Sequence, residues 1–186
     1  MDISTEVKFE GFKKIPRLSK EMVITEKLDG TNGLIQITED GQFLLGSRNR
    51  WLKIDDNKAN DNMGFGKWAL ENKEELLKLG VGKHFGEWIG KGINKRDYNL
   101  TDKKFVLFDV HKWNNDTKPA CCEVVPILYA GIFCTEKIKE VMNNLKINGS
   151  EFSKGYMNPE GIIIYHTASK QMYKKTFDFD EVGKGN

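Results

Sequence analysis

The stretch Thr25-Glu26-Lys27-Leu28-Asp29-Gly30-Thr31-Asn32-Gly33 joins a predicted strand to two turn signals. Residues 22–25 are apolar or β-branched, which is typical of a buried strand, and the Asp-Gly and Asn-Gly pairs that follow favour turns. Lys27 therefore lies at the end of the strand. A side chain at that position can leave a rigid sheet and face a pocket.

These nine residues allow two interpretations of Lys27. As a nucleophile its amine must be unprotonated when it attacks, which nearby cations or burial favour. Glu26 and Asp29 act in the opposite direction, so a nucleophilic role requires positive charge from elsewhere in the chain. The alternative is a surface lysine that pairs loosely with Asp29. Because short motifs match often by chance, this stretch alone favours the alternative.

Length and composition are those of one globular domain. The chain has 186 residues and a net charge of only +2, so any nucleic-acid surface must be a local patch. It has no apolar run of transmembrane length and no signal-like start, which predicts a cytoplasmic protein without membrane contact. Cys121, Cys122 and Cys134 have neither an even number nor metal-ligand spacing, so we expect no disulfide framework and no zinc site.

The remaining pattern predicts at least seven short strands and two helices. Two predicted strands flank the Asp40-Gly41 turn, and others cover residues 84–90, 104–110, 124–129, 159–165 and 171–177. Helical periodicity covers residues 62–79 and 136–145, while Pro126 marks an edge or bent strand. Because strands and helices do not alternate regularly, we expect an α+β domain built on antiparallel sheets with a few flanking helices.

Charged residues recur at the ends of these apolar segments or inside them. Glu87 interrupts an apolar strand, where an unpaired buried carboxylate would be costly, so it is a candidate ligand. Glu160 precedes another strand, and Lys174 and Lys175 lie between aromatic residues. Taken one at a time, each of these residues is more simply explained as structural.

Six segments in a fixed order change that balance. They are Glu26-Lys27-Leu28-Asp29-Gly30-Thr31-Asn32, Gly46-Ser47-Arg48-Asn49, Phe85-Gly86-Glu87-Trp88-Ile89-Gly90, Phe108-Asp109-Val110, Glu160-Gly161-Ile162-Ile163 and Tyr173-Lys174-Lys175. Together they resemble the successive motifs of the covalent nucleotidyltransferases, the superfamily of ATP-dependent ligases and capping enzymes. The first three are more similar to the RNA ligase branch, particularly compact ligases of bacteriophage type, than to the DNA ligase branch.

The resemblance implies a role for each matching residue. Lys27 would attack the α-phosphate of ATP, expel pyrophosphate and carry AMP, with Asp29 in a supporting role and Lys174 supplying positive charge. The nucleotide would be held by Glu26 at the adenine edge, Asn32 near the ribose and α-phosphate, Arg48 at the phosphate or ribose, Glu87 at the ribose hydroxyls, Phe108 by stacking on adenine, and Lys174 and Lys175. Glu160, directly or through water, and Glu87 would bind Mg²⁺ or Mn²⁺.

The sequence departs from the family pattern in two places. The last motif is usually Lys-x-Lys, whereas here Lys174 and Lys175 are adjacent and Thr176 follows. Lys174 is the better match because it follows an aromatic residue. The chain also ends soon after this motif, so we expect residues 1–186 to form a single adenylyltransferase domain without a C-terminal accessory domain.

The resemblance implies an ATP-dependent RNA ligase acting in nucleic acid repair. It would form lysyl-AMP, transfer AMP to a 5′-phosphate end and join that end to a 3′-hydroxyl. Three alternatives stay open: a DNA nick ligase, an adenylyltransferase that needs an accessory protein, and an inactive relative that only binds nucleic acid. The choice between ATP and GTP is not readable from these residues.

Overall fold

The computed structural model describes residues 10–53 and 60–178 of the chain. Within these ranges the strands are β1 (Glu21–Lys27), β2 (Thr31–Ile37), β3 (Phe43–Gly46), β4 (Gly82–Ile89), β5 (Lys104–Leu107), β6 (Cys122–Val124), β7 (Ile127–Ile132), β8 (Gly161–His166) and β9 (Gln171–Thr176). The helices are α1 (Phe65–Glu71), α2 (Lys73–Leu76), a 3₁₀ turn (Leu77–Leu79) and α3 (Thr135–Asn148). No helix in these two ranges is long and apolar enough to cross a membrane.

The strands form two sheets. One has the order β7-β1-β8-β9 and is antiparallel throughout, and the other has the order β3-β2-β4-β5-β6. In the second sheet only the β5–β6 pair is parallel. The predicted α+β class is therefore confirmed. The sheets are antiparallel as expected, except for the parallel β5–β6 pair.

Three apolar clusters hold the elements together. The four-stranded sheet packs against α3, and the five-stranded sheet packs against α1 and α2. The third cluster lies between the sheets and contains the buried residues Leu28, Ile89, Tyr98, Val106 and Val125. Because Leu28 directly follows Lys27, this third cluster anchors the β1–β2 connection where the two sheets meet.

Three predicted elements are wrong in their extent, and one of them is the strand expected over residues 104–110, which ends at Leu107. The expected helix over residues 62–79 is broken, because Asn62 and Met63 have left-handed backbone and Asn72 leaves helical geometry between α1 and α2. The expected strand over residues 124–129 is divided by Pro126, whose ring nitrogen has no hydrogen to donate. As a result β6 and β7 belong to different sheets.

Strand alternation gives the four-stranded sheet two distinct faces. Residues paired across antiparallel strands lie on the same face, so the registers sort them into two sets. The Lys27 face contains Thr25, Lys27, Ile163 and Lys174; the helix face, which packs against α3, contains Met22, Ile24, Glu26, Ile162, Ile164 and Lys175. In the five-stranded sheet, the same reasoning defines the Glu87 face, with Asn32, Leu34, Phe85, Glu87 and Val106.

Candidate active site

Lys27, the last residue of β1, is held by a carboxylate from the neighbouring strand entry. Its Nζ donates to Glu160 Oε2 at 2.7 Å, and the two side chains are only 22% and 9% exposed. Glu160 immediately precedes β8, whose first residue, Gly161, pairs with Lys27. The alternative of a surface lysine paired with Asp29 is therefore not what the structure shows.

Two glycines permit the close approach of strands at this point. A Cβ at Gly30 would lie 2.3 Å from the carbonyl oxygen of Trp88, and a Cβ at Gly161 would lie 2.1 Å from that of Lys175. Both distances are far below van der Waals contact. Only glycine therefore fits in the turn after Lys27 and at the start of β8 without moving the backbone.

Glu87, on β4, binds the start of the neighbouring strand β2. Its Oε1 accepts from the Gly30 N–H at 3.1 Å, and its Oε2 accepts from Asn32 Nδ2 at 2.9 Å. Burial raises the pKa of Glu87 to about 7, although the positive charge of Lys27 and these hydrogen bonds oppose the shift and Glu160 adds to it. The structure thus brings Lys27, Asn32, Glu87 and Glu160 together.

Asp29 lies in a network that the sequence did not predict. Its carboxylate accepts from Arg96 Nη1 at 3.3 Å and from Asn94 Nδ2 at 2.9 Å. Its backbone N–H donates to the hydroxyl of Tyr98, a buried residue, at 2.7 Å. These partners follow Asp29 by 65–69 residues in a loop without a recognisable motif, so only the long-range fold reveals them.

Arg96 joins three segments of the site through its three guanidinium nitrogens. Besides Asp29, it donates from Nε to the backbone oxygen of Asn158 at 3.0 Å and from Nη2 to Asp178 at 2.9 Å. Asn158 lies two residues before Glu160, and Asp178 follows β9. One side chain therefore fastens the turn after Lys27 to the segment that carries Glu160.

Glu26 points away from Lys27, onto the helix face. It is 1% exposed, and its Oε2 accepts from the backbone N–H groups of Glu151 and Phe152, each at 2.9 Å. Burial raises its pKa, while the hydrogen bonds from Ser150 and these amides act against that shift. Its Oε1 is buried and has no hydrogen-bond partner within the part of the chain that the structure describes.

The other predicted residues are Arg48, Phe108, Lys174 and Lys175, which lie on or just after strands of the two sheets. Arg48, just after β3, and Phe108, just after β5, are exposed. Lys174 is exposed on the Lys27 face, whereas Lys175 is half-buried and belongs to the helix face. Adjacent lysines of the last motif therefore lie on opposite sides of the sheet.

An apolar cavity of about 380 Å³ lies elsewhere. It is lined by Pro16, Leu18, Phe133, Ile138, Ile164, His166, Ser169 and Tyr173, and therefore includes helix-face residues. None of the predicted site residues lines it. Because this cavity is apolar and lacks those residues, we keep the group around Lys27 as the candidate active site.

The donor set fits an adenine nucleotide with a divalent metal. Within the described residues Glu26 Oε1 has no hydrogen-bond partner, so it is an acceptor that an exocyclic amino group could satisfy. The carboxylates of Glu87 and Glu160 have the oxygen chemistry that Mg²⁺ and Mn²⁺ prefer. Among the described side chains there is no group of three His, Cys, Asp or Glu arranged for a metal. A metal at this site would therefore take its remaining ligands from phosphate and water.

Comparison with known proteins identifies the family. Solved structures of Naegleria gruberi RNA ligase variants share the fold: one with ATP and Mn has a TM-score of 0.64 at 21% identity and covers 87% of this chain and 51% of its own. Another with ATP and Mn has a TM-score of 0.62 at 22% identity, covering 85% and 49%. The chain thus spans about half the length of these relatives, and no curated protein sequence matches it. The family model described as RNA ligase matches residues 20–184, so the chain belongs to the RNA ligase family.

Proposed function

We propose that this chain is an ATP-dependent RNA ligase that carries AMP on Lys27. The observation that carries the proposal is the Lys27–Glu160 pair beside Asn32 and Glu87, at the junction of two sheets in a member of the RNA ligase family. It would transfer AMP to a 5′-phosphate end and join that end to a 3′-hydroxyl. The Naegleria gruberi relatives solved with ATP and Mn support the choice of nucleotide and divalent metal.

The first step requires a neutral lysine. Nζ of Lys27 attacks the α-phosphorus, a nitrogen–phosphorus bond forms, and the bond to pyrophosphate breaks with the electron pair leaving on pyrophosphate. Nζ releases one proton to water as the phosphoramidate forms. The resting ion pair with Glu160 holds the protonated form of Lys27 in position. A divalent metal on the Glu160 carboxylate would neutralise that anion and so weaken its hold on the ammonium form.

The remaining residues position the nucleotide. Glu87 accepts from the ribose hydroxyls, Phe108 stacks on adenine, and Oε1 of Glu26 accepts from the adenine amino group. Lys174, on the Lys27 face, and Arg48 balance the phosphate charge, with Asn32 near the α-phosphate. Asp29 supports the turn through Arg96, and Lys175 acts from the helix face. Cytoplasmic RNA repair of bacteriophage type is the biological setting that fits this activity.

The decisive experiment is covalent labelling. Incubation with ATP labelled at the α-phosphate and Mg²⁺ or Mn²⁺ should label the wild-type protein, and Lys27→Ala should abolish the label. Lys146→Ala, at an exposed position near the end of α3, is the matched control and should be labelled like the wild type. Label that survives in Lys27→Ala would refute the assignment.

Substrate choice separates the remaining alternatives. Nicked RNA, DNA and hybrid duplexes, together with single-stranded RNA ends, should show sealing that depends on a 2′-hydroxyl near the junction. Equal sealing of an all-DNA nick would favour the DNA ligase alternative. Nucleic-acid binding without lysyl-AMP under any divalent metal would favour an inactive relative, and labelling without sealing would indicate a requirement for an accessory protein.

A further inference from the structure

Phe85 is an exposed aromatic side chain on the same face as Glu87. It is 51% exposed and lies two residues before Glu87 in β4, so alternation directs both side chains to the same side. The neighbours that alternate with them, His84 and Trp88, are buried on the opposite side. A large apolar ring is therefore left open to solvent on the sheet face that carries the candidate active site.

Phe85 is part of a row that crosses the sheet. It pairs with Leu34 of β2, and its backbone oxygen accepts from the Phe108 N–H at 3.0 Å. Continuing the alternation past β5 assigns Phe108 to the Glu87 face as well. Because neighbouring strands are about 4.8 Å apart, Phe85 lies one strand away from Phe108 and about 7 Å along its own strand from Glu87.

The surroundings of this row have charge suited to a polyanion. At the β3 end of the row, Leu34 pairs with Gly46, and Arg48 follows two residues later. Lys83 lies two residues before Phe85 on the same face. Both basic side chains are exposed. An open ring with one exposed cation on its own strand and another at the β3 end of the row matches the combination by which proteins bind single-stranded nucleic acid, with stacking on bases and ion pairing to phosphates.

We propose that Phe85 is the stacking platform for the terminal nucleoside of the RNA strand being joined. The inference rests on the proposed function, in which adenine occupies Phe108, so that the second exposed ring is available for a second base. Glu87 follows Phe85 by two residues in β4 and binds the turn after Lys27, so a nucleoside on Phe85 has its terminal phosphate or hydroxyl directed toward the lysyl-AMP. Stacking on a phenyl ring does not select a base, so this subsite accepts any terminal nucleotide.

Direct binding tests the platform without requiring any chemistry. The probe is a fluorescein-labelled RNA hexamer of mixed sequence, titrated with wild type, Phe85→Ala, Phe85→Leu and Phe85→Trp and followed by anisotropy. We expect the Ala and Leu variants to bind about 5- to 150-fold more weakly, and Trp to bind at least as tightly as wild type. Because the ring is half exposed, its truncation leaves little cavity, and thermal melts verify that each variant is folded.

The matched control is Tyr173→Ala. Tyr173 is a comparably exposed aromatic residue of a strand, 55% exposed, but the register assigns it to the helix face. The Tyr173→Ala variant should therefore bind the RNA hexamer with the affinity of the wild type. The proposal is overturned if Phe85→Ala binds within about twofold of wild type, if Phe85→Trp is as weak as Phe85→Ala, or if Tyr173→Ala loses as much affinity.

Two kinetic arms distinguish which RNA end uses the platform. One arm varies a 5′-phosphorylated RNA with a blocked 3′ end and measures the KM for AMP transfer. The other varies a 3′-hydroxyl acceptor against pre-adenylylated RNA without ATP and measures the KM for sealing. The larger rise in KM in Phe85→Ala identifies the bound end, and no rise in either arm overturns the proposal. Failure of the proposed function would give a different result. The wild-type protein would then take up no label from ATP on Lys27, while its binding of the RNA hexamer would still depend on Phe85.

Discussion

The two faces of the four-stranded sheet receive neighbouring residues of the chain and put them in different environments. On the Lys27 face, Lys27 is half-buried and paired with Glu160, and Lys174 is exposed. On the helix face, Glu26 is fully buried against backbone amides, and Lys175 lies on the same side. Residues adjacent in a motif therefore lie on opposite faces of the sheet, because each step along a strand reverses the side-chain direction.

The largest expected difference is between the two lysines of the last motif. Removing a cation that stabilises developing phosphate charge costs on the order of 100- to 1,000-fold in rate, and we expect this loss for Lys174→Ala. Lys175→Ala should lose less than about fivefold, since its side chain starts on the other side of the sheet. Initial rates of labelling with α-labelled ATP measure both. Equal losses, or a larger loss for Lys175→Ala, would contradict the division by face.

For stability we expect the opposite order: a substitution on the helix face should destabilise the protein more than one on the Lys27 face. Glu26→Ala removes the acceptor for two backbone N–H groups in a buried place, and unsatisfied buried donors cost about 1–3 kcal/mol each, so we expect a loss of about 3 kcal/mol. Thr25→Ala, the neighbouring position on the Lys27 face, should cost less than about 1 kcal/mol because that side chain is only half-buried. Urea denaturation measures both free energies of unfolding. A Glu26→Ala variant as stable as Thr25→Ala would refute the structural role.

These contrasts also show how much of the molecule can be predicted from its sequence. The strand end at Lys27, the hairpin around Asp40-Gly41 and helix α3 all follow from local signals, namely turn residues and apolar periodicity. The opposite directions of Glu26 and Lys27 follow from alternation alone. Local chemistry is sufficient wherever the deciding residues are neighbours in the chain.

The partners of the site residues could not be predicted in the same way. Lys27 and Glu160 are 133 positions apart, and Asp29 and Arg96 are 67 positions apart. Such contacts depend on sheet register and loop path, which no nearby residue encodes. The order of the motifs indicated that Glu160 belongs to the site, but it gave no sign of Arg96 or of the open face around Phe85.

The buried carboxylate of Glu87 should make the free energy of unfolding depend on pH. Burial raises the pKa of Glu87 from an ordinary 4.5 to about 7. Below pH 4.5 both folded and unfolded chains keep this proton, and between pH 4.5 and 7 the unfolded chain loses it first, so stability falls as pH rises. The loss attributable to Glu87 is on the order of 3 kcal/mol and is complete above pH 7.

Glu87→Gln should remove this component, because the amide does not titrate. The measured quantity is the difference in free energy of unfolding between wild type and Glu87→Gln at a series of pH values, which cancels the titration of the other groups. A difference that stays constant from pH 4.5 to 7 would show that Glu87 is ionised at its ordinary pKa.

The smallest effect concerns the link between the turn after Lys27 and the segment before Glu160. Arg96→Ala removes all three guanidinium contacts, whereas Arg96→Lys keeps the charge but cannot reach three acceptors at once. If Arg96 positions Lys27 relative to Glu160, the rate constant for self-adenylation should fall about tenfold in Arg96→Ala, with the KM for ATP nearly unchanged. Arg96→Lys should recover only part of the rate.

Asp178→Ala provides the matched control for that substitution. It removes the most exposed partner of Arg96, whose side chain is 61% exposed, and exposed ion pairs contribute about 0–1 kcal/mol. We therefore expect self-adenylation within about threefold of wild type, well short of the Arg96→Ala loss. If Asp178→Ala and Arg96→Ala lose activity equally, the important contact is with the end of β9. Arg96 would then act through the segment after β9 and not through the turn that follows Lys27.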